Sequence, residues 1–146
     1  NVRPEDDEQL EALLAAETGV ICLVGKAWDY HVEHALSTTP AEAIAMVQDS
    51  IGYLRGQGRR VFFDAEHFFD GYKANPDYAM RVVGVSAEAG AECVVLCDTN
   101  GGTLPAEIWQ ITTDVIASGI AGDRLAIHTI GCDSTRGCVR VHVLLP

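Results

Sequence analysis

Asp64 and Glu66 stand two residues apart at the end of an apolar run, Val61-Phe62-Phe63. If that run is a strand, residues two apart point the same way, so the two carboxylates share a face. Two acids on one face of a core strand are costly to bury unless a cation or substrate groups meet them. The pair therefore points to chemistry rather than to packing. Polar residues follow three other apolar runs in the same manner. Val20-Ile21-Cys22-Leu23-Val24 leads into Gly25-Lys26-Ala27-Trp28-Asp29-Tyr30-His31. Cys93-Val94-Val95-Leu96 leads into Asp98-Thr99-Asn100-Gly101-Gly102, and Leu125-Ala126-Ile127 into His128-Thr129. In isolation, His128 reads first as a hydrogen-bonded structural residue and second as a metal ligand, and Asp98-Thr99 reads equally as a helix-capping turn. His34, His67 and His142 read as structural or exposed, and Trp28 and Tyr30 as packing residues.

These residues need elements to bring them together. Continuous apolar runs without polar alternation suit strands covered on both faces, as in a parallel sheet. Helical spacing lies between them. Ile44, Val47, Ile51 and Leu54 recur at three and four, behind a Thr39-Pro40-Ala41-Glu42 capping box. Tyr78, Val82, Val85 and Ala89 follow Asn75 as cap and Pro76, and Gly90 ends that helix. Ile108, Ile111 and Val115 mark a helix from near Pro105, and Leu10, Leu13 and Leu14 mark one at the front. Alternating strands and helices imply parallel strands with right-handed crossovers. The later strands recur at about thirty residues, the rhythm of a (β/α)₈ barrel of ~250 residues. The expected fold is thus α/β, a partial TIM barrel of about four parallel strands in chain order, with outer helices, forming an open arc. A flavodoxin-like open sheet is the rival. No glycine-rich phosphate fingerprint follows any strand, Gly101-Gly102 being the nearest candidate. In a barrel the active site is built at the C-terminal ends of the strands, so the polar residues are expected at one rim.

The chain has 146 residues, the size of one domain, and 48% of them are hydrophobic. Its formal net charge of -11 argues against nucleic acid and against anionic lipid, both of which select clustered Lys and Arg. No apolar run approaches the ~18 residues of a membrane span. Residues 1–11 are polar and acid-rich, unlike a signal peptide. Without an initiator Met, the chain is expected to begin inside a longer gene product. Of the five cysteines, Cys22, Cys93 and Cys97 sit in strand-like runs and read as reduced core thiols of a cytoplasmic protein. The Cys93–Cys97 spacing reads as strand context rather than as a zinc knuckle.

Three stretches carry a resemblance. They are Gly25 to Val32, Phe63-Asp64-Ala65-Glu66-His67-Phe68-Phe69-Asp70-Gly71-Tyr72-Lys73-Ala74-Asn75-Pro76, and Leu96 to Pro105. They resemble the segments after the third, fourth and fifth barrel strands of the isopropylmalate, homocitrate and citramalate synthase family. That family is related to hydroxymethylglutaryl-CoA lyase, and the second stretch is closest to its citramalate synthase branch. The likeness runs from about residue 8 to His128. It implies an acyltransferase that condenses acetyl-CoA with a 2-oxo acid, pyruvate giving citramalate on a route to isoleucine, with isopropylmalate-type specificity as the alternative. It implies a divalent metal (Mg, Mn or Zn) that chelates the oxo acid and polarises its ketone. By the same resemblance Glu66 takes part in proton transfer at the acetyl group, Asp64 lines the substrate, and Thr99 binds the oxo-acid carboxylate. Asp98, Lys26 and His31 count among the substrate-binding residues, and His128 is the first His of a His-x-His metal pair.

The chain also departs from the pattern. Ile130 stands at the second His, and the family's first-strand Arg-Asp pair has no counterpart. Residues 1–129 are therefore expected to be a partial catalytic domain and 130–146 a divergent tail, as a slipped reading frame after Thr129 would produce. With one matched ligand, the chain alone is expected to hold metal weakly or not at all and to be inactive. The exposed edges of a half-barrel leave a homodimer, or a non-catalytic self-associating half-barrel, as the remaining reading.

Overall fold

A computed structural model describes residues 2–133 and 137–144, with side chains through residue 130. The reading of His142 concerns a side chain outside the described residues. The four expected strands are present as β1 (Val20–Lys26), β2 (Arg60–Glu66), β3 (Cys93–Asp98) and β4 (Leu125–Asp133). Each runs past its apolar stretch to take in the polar residues that follow. They pair in chain order and in parallel, with Lys26 opposite Glu66 and Cys97 opposite His128.

Among the described residues six α-helices connect and flank them: α1 (Glu8–Ala15), α2 (Asp29–His34), α3 (Pro40–Gly56), α4 (Phe68–Ala74), α5 (Pro76–Glu88) and α6 (Pro105–Ala117). The caps are those that the sequence implies. The Thr39 hydroxyl accepts from the Glu42 N–H at 3.2 Å, and the Asn75 side-chain oxygen from the Tyr78 N–H at 3.2 Å. Such a cap stabilises a helix by about 1 kcal/mol. The short helices α2 and α4 were not expected. Both lie in loops after strands and lack a long apolar stripe.

Strand parity separates two faces. Ile21, Val61, Phe63, Ala65, Val94, Leu96, Leu125 and Ile127 are buried in one cluster with helix residues such as Ile51, Leu54, Phe68, Val82 and Val115. Each fully buried aliphatic or aromatic side chain there contributes about 1.5–3 kcal/mol. The opposite face holds Cys93, Val95, Cys97 and Ala126, with Phe62 packed against them and no helix residue among them. All helices therefore cover one face, as in a barrel wall. The other face is open at β1, where Val24 is 64% exposed.

A fifth strand is an addition to the four. β5 (Gly137–Leu144) pairs antiparallel with β4, Ala126 opposite Leu144 and Asp133 opposite Gly137. Val139, Val141 and Val143 alternate with Arg140 and His142, the period of a strand. Only residues 134–136 separate β4 from β5. A parallel partner needs a crossover of a dozen residues or more, so the return is antiparallel. β4 itself runs through Thr129 and Ile130 without a break.

Candidate active site at the strand ends

The helix-free face carries Lys26, Asp64, Glu66, Cys97 and His128, all of one strand parity. The Lys26 Nζ donates to Glu66 Oε2, joining the ends of β1 and β2. The backbone continues that link, since the Ala27 N–H donates to the Glu66 carbonyl at 3.0 Å. Gly71 of α4 packs directly on this point. A Cβ there would lie 2.1 Å from the Ala27 carbonyl oxygen, so only glycine fits. The Tyr78 hydroxyl donates to the Lys26 carbonyl at 3.1 Å, and burial pushes its ionisation up to about 12.

Beside the ion pair lie two imidazoles. His31 and His67 meet edge to face at 4.4 Å between ring centres, and Trp28 covers His31 at 4.7 Å. Burial, then the neighbouring His67 and Lys26, lower the His31 pKa, with Glu66 and Asp70 opposing. His67, Lys26, Glu66 and Asp70 thus all lie within electrostatic reach of His31. His67 begins α4 in the left-handed region, φ 57°. Its N–H donates to the Thr99 hydroxyl oxygen at 2.9 Å. Its Nδ1 lies 3.3 Å from Asp70 Oδ2, which also accepts from Asn100 at 3.0 Å. Residues after β2 and β3 are in this way tied together at one rim.

A second group adjoins the first. One donor atom each from Asp64, Cys97 and His128 lie within 4.8 Å of one another. The Cys22 thiol donates to Asp64 Oδ1 at 3.2 Å. Burial foremost, and next the Asp64 charge, push the Cys97 thiol up to about 12, and the Glu66 charge also reaches it. Cys22 is exposed on the open face rather than in the core as expected; partial burial, then the hydrogen bond to Asp64 and its charge, push that thiol up to about 12.

Asp98 lies apart from both groups. It has the other parity, is 2% exposed, and accepts from the Thr103 hydroxyl at 2.8 Å and the Thr103 N–H at 3.4 Å. It fastens the turn before α6, and its oxygens are taken up there. His67, Asp70, Asn100 and Cys97 are brought to the site although the sequence reading gave them no role in it. Parity with Glu66 and His128 was the available signal for Cys97. For His67 it was the i,i+3 spacing to Asp70 directly after a strand-end acid.

Solved structures define the class of fold. Hydroxymethylglutaryl-CoA lyase from Bacillus subtilis superposes with a TM-score of 0.71, over 90% of this chain and 44% of that one, at 17% identity. The lyase from Brucella melitensis gives 0.70 over 82% and 43%, at 22% identity. The fold is therefore a partial (β/α)₈ barrel of the kind those lyases share. Sequence narrows this further. The chain is 52% identical to the (R)-citramalate synthase of Synechocystis sp. over 130 residues, 85% of this chain and 24% of that protein. It is 52% identical to that of Streptomyces coelicolor over 139 residues, 95% and 25%. A 2-isopropylmalate synthase from Gloeobacter violaceus is 28% identical over 138 residues. No protein-family model matches the chain. The chain is a segment of citramalate-synthase type, spanning about a quarter of the length of the curated relatives it matches.

Proposed function

We propose that this segment contributes the acetyl-activating and oxo-acid-binding half of a site that condenses acetyl-CoA with pyruvate to form citramalate, a step towards isoleucine. The observation that carries the reading is the Lys26–Glu66 pair beside Thr99 and the two imidazoles, all at the C-terminal ends of parallel strands. Glu66 takes the proton from the acetyl methyl group, and Lys26 holds its carboxylate in place. The Thr99 oxygen already accepts from the His67 N–H, which leaves its own proton free to donate to the oxo-acid carboxylate. His31, with a lowered pKa, stays neutral near pH 7 and can donate to an oxygen without adding charge. His128 is the residue the resemblance assigns to a divalent ion. Such an ion, when bound, polarises the ketone of the oxo acid. The donors gathered round His128 fit a cation, since Asp64 and Cys97 face it. Asp98, engaged with Thr103, acts by positioning Thr99 rather than by touching substrate.

The test uses the chain with added divalent metal. Amide NMR shifts on adding pyruvate are expected at Thr99 and Glu66, and their loss in Thr99→Val is expected. An unchanged response in Thr99→Val overturns the assignment. A thiol-trapping assay is expected to show no release of CoA from acetyl-CoA by the chain alone. Pyruvate-dependent release abolished by Glu66→Ala would show that the segment is sufficient for turnover.

Exposed Val20 and Val24 on β1, whose one partner among the described residues is β2, favour a second reading in which two copies pair edge to edge. Light scattering distinguishes dimer from monomer. We place the chain in the cytoplasm on its reduced thiols; among the described residues no helix is long and apolar enough to cross a membrane. We also propose that the family's site pattern breaks at Ile130, which stands at the second-histidine position, and reading the gene in its other frames tests this.

A further inference from the structure

We propose that Asp64, Cys97 and His128 form a mixed oxygen, sulfur and nitrogen site that takes a zinc-class ion in preference to magnesium. The resemblance assigns Asp64 to substrate and gives Cys97 no role, so this is a different ligand set from a His-x-His pair. It does not depend on the condensation reading.

Three features support it. The first is placement. Cys97 and His128 are register partners on neighbouring parallel strands, and Asp64 has the same parity on the next strand over. Their side chains leave one face at the strand ends from three consecutive strands, a rigid framework for a site. The second is distance. Ligands at about 2.0–2.3 Å around a tetrahedral zinc lie about 3.3–3.8 Å from one another. The three donors are already within 4.8 Å, so closing on an ion takes side-chain shifts of about 1 Å without moving a strand. The third is donor chemistry. Thiolate, imidazole and carboxylate together select zinc or a similar borderline-soft ion, while magnesium demands octahedral oxygen ligands. Asp64 can serve a metal and Cys22 at once, because only Oδ1 accepts the Cys22 thiol. Three protein ligands leave a fourth position open, the pattern of a catalytic rather than a structural zinc. Glu66 lies on the same face of β2 as Asp64, two residues further along.

Cobalt(II) in place of zinc makes the test specific, because a thiolate ligand gives an intense near-ultraviolet charge-transfer band that oxygen and nitrogen ligands do not. Titration of the purified, reduced chain with Co²⁺ alone is expected to raise this band to one equivalent, with Zn²⁺ bleaching it stoichiometrically. Millimolar Mg²⁺ is expected to leave it unchanged. Cys97→Ser is expected to abolish the band, and Asp64→Ala and His128→Ala to weaken cobalt binding about tenfold or more. Cys22→Ala and the double variant Cys132→Ser/Cys138→Ser are expected to keep it. Far-ultraviolet circular dichroism of each variant separates loss of ligand from loss of fold. A Cys97→Ser chain that folds and keeps the band overturns the proposal. So does a wild-type chain that gives no band, or one from which magnesium displaces cobalt at comparable concentration.

Discussion

Replacing Gly71 by alanine places a methyl group 2.1 Å from the Ala27 carbonyl oxygen, 2.9 Å from its carbon and 3.0 Å from the Trp28 Cα. All three are backbone atoms, so no side chain can swing aside. Reaching 3.4 Å, the near edge of ordinary contact, requires α4 and the end of β1 to part by about 1.3 Å. The Ala27 N–H···O bond to Glu66, now 3.0 Å, does not survive such a shift if Ala27 is what moves. Overpacking costs about 1–3 kcal/mol, and one lost hydrogen bond adds about 1 kcal/mol. The better helix propensity of alanine returns about 0.5–1 kcal/mol. A net loss of about 1–3 kcal/mol follows from these terms. Gly84 is the matched control. It lies inside α5 with nothing within 4 Å of an added Cβ, so Gly84→Ala should stabilise by about 0.5–1 kcal/mol. Urea unfolding followed by circular dichroism measures both. A Gly71→Ala chain within about 0.5 kcal/mol of the parent would refute the claim that this contact sets the distance between α4 and β1.

Three further outcomes are expected. Tyr72 donates to Asp114 at 2.8 Å, and this bond with burial raises its ionisation, so Asp114→Asn should bring its spectrophotometric titration back towards that of an ordinary tyrosine. His31 has a folded pKa below the unfolded value, so the unfolded chain binds the proton first as pH falls. Stability should therefore decline from neutral pH downward through about 6.5 and level off below the folded value, and His31→Gln should flatten that part of the urea-midpoint profile. Cys97, pushed up to about 12, should react with iodoacetamide at pH 8 far more slowly than the thiol of an unfolded control, because the thiolate is the nucleophile.

The strands and main helices were legible because they rest on local rules. Val61-Phe62-Phe63 suits a strand with both sides packed, and Asn75-Pro76 suits the start of a helix. The strand ends were drawn too short, since Asp64, Glu66 and His128 interrupt an apolar run while continuing a strand. Their polarity reflects the helix-free face, a tertiary fact that a linear scan does not contain. β5 was not expected although Val139, Val141 and Val143 alternate, because an alternating run names neither its partner nor its direction, and the alternating α/β order leads one to expect a helix there. At the site, residue types were readable and their partners were not. Lys26 and Glu66 are 40 residues apart in the chain, and the register that makes them opposite is set by packing. Asp98 was read with its neighbour Thr99, yet one step along a strand reverses the face, and that step carries its carboxylate to Thr103.

Each pairing in the sheet joins strands that follow one another along the chain, and this bears on how the molecule is assembled. Val20 meets Arg60 across 40 residues, and Val94 meets Leu125 across 31. The entropy of closing loops of these lengths differs by only about 0.2 kcal/mol. Among the parallel pairings none is therefore favoured by chain statistics, and no strand there has to wait for a distant one. During synthesis, each strand after β1 leaves the ribosome to find its partner already made, so this stretch of wall can be laid down one course at a time.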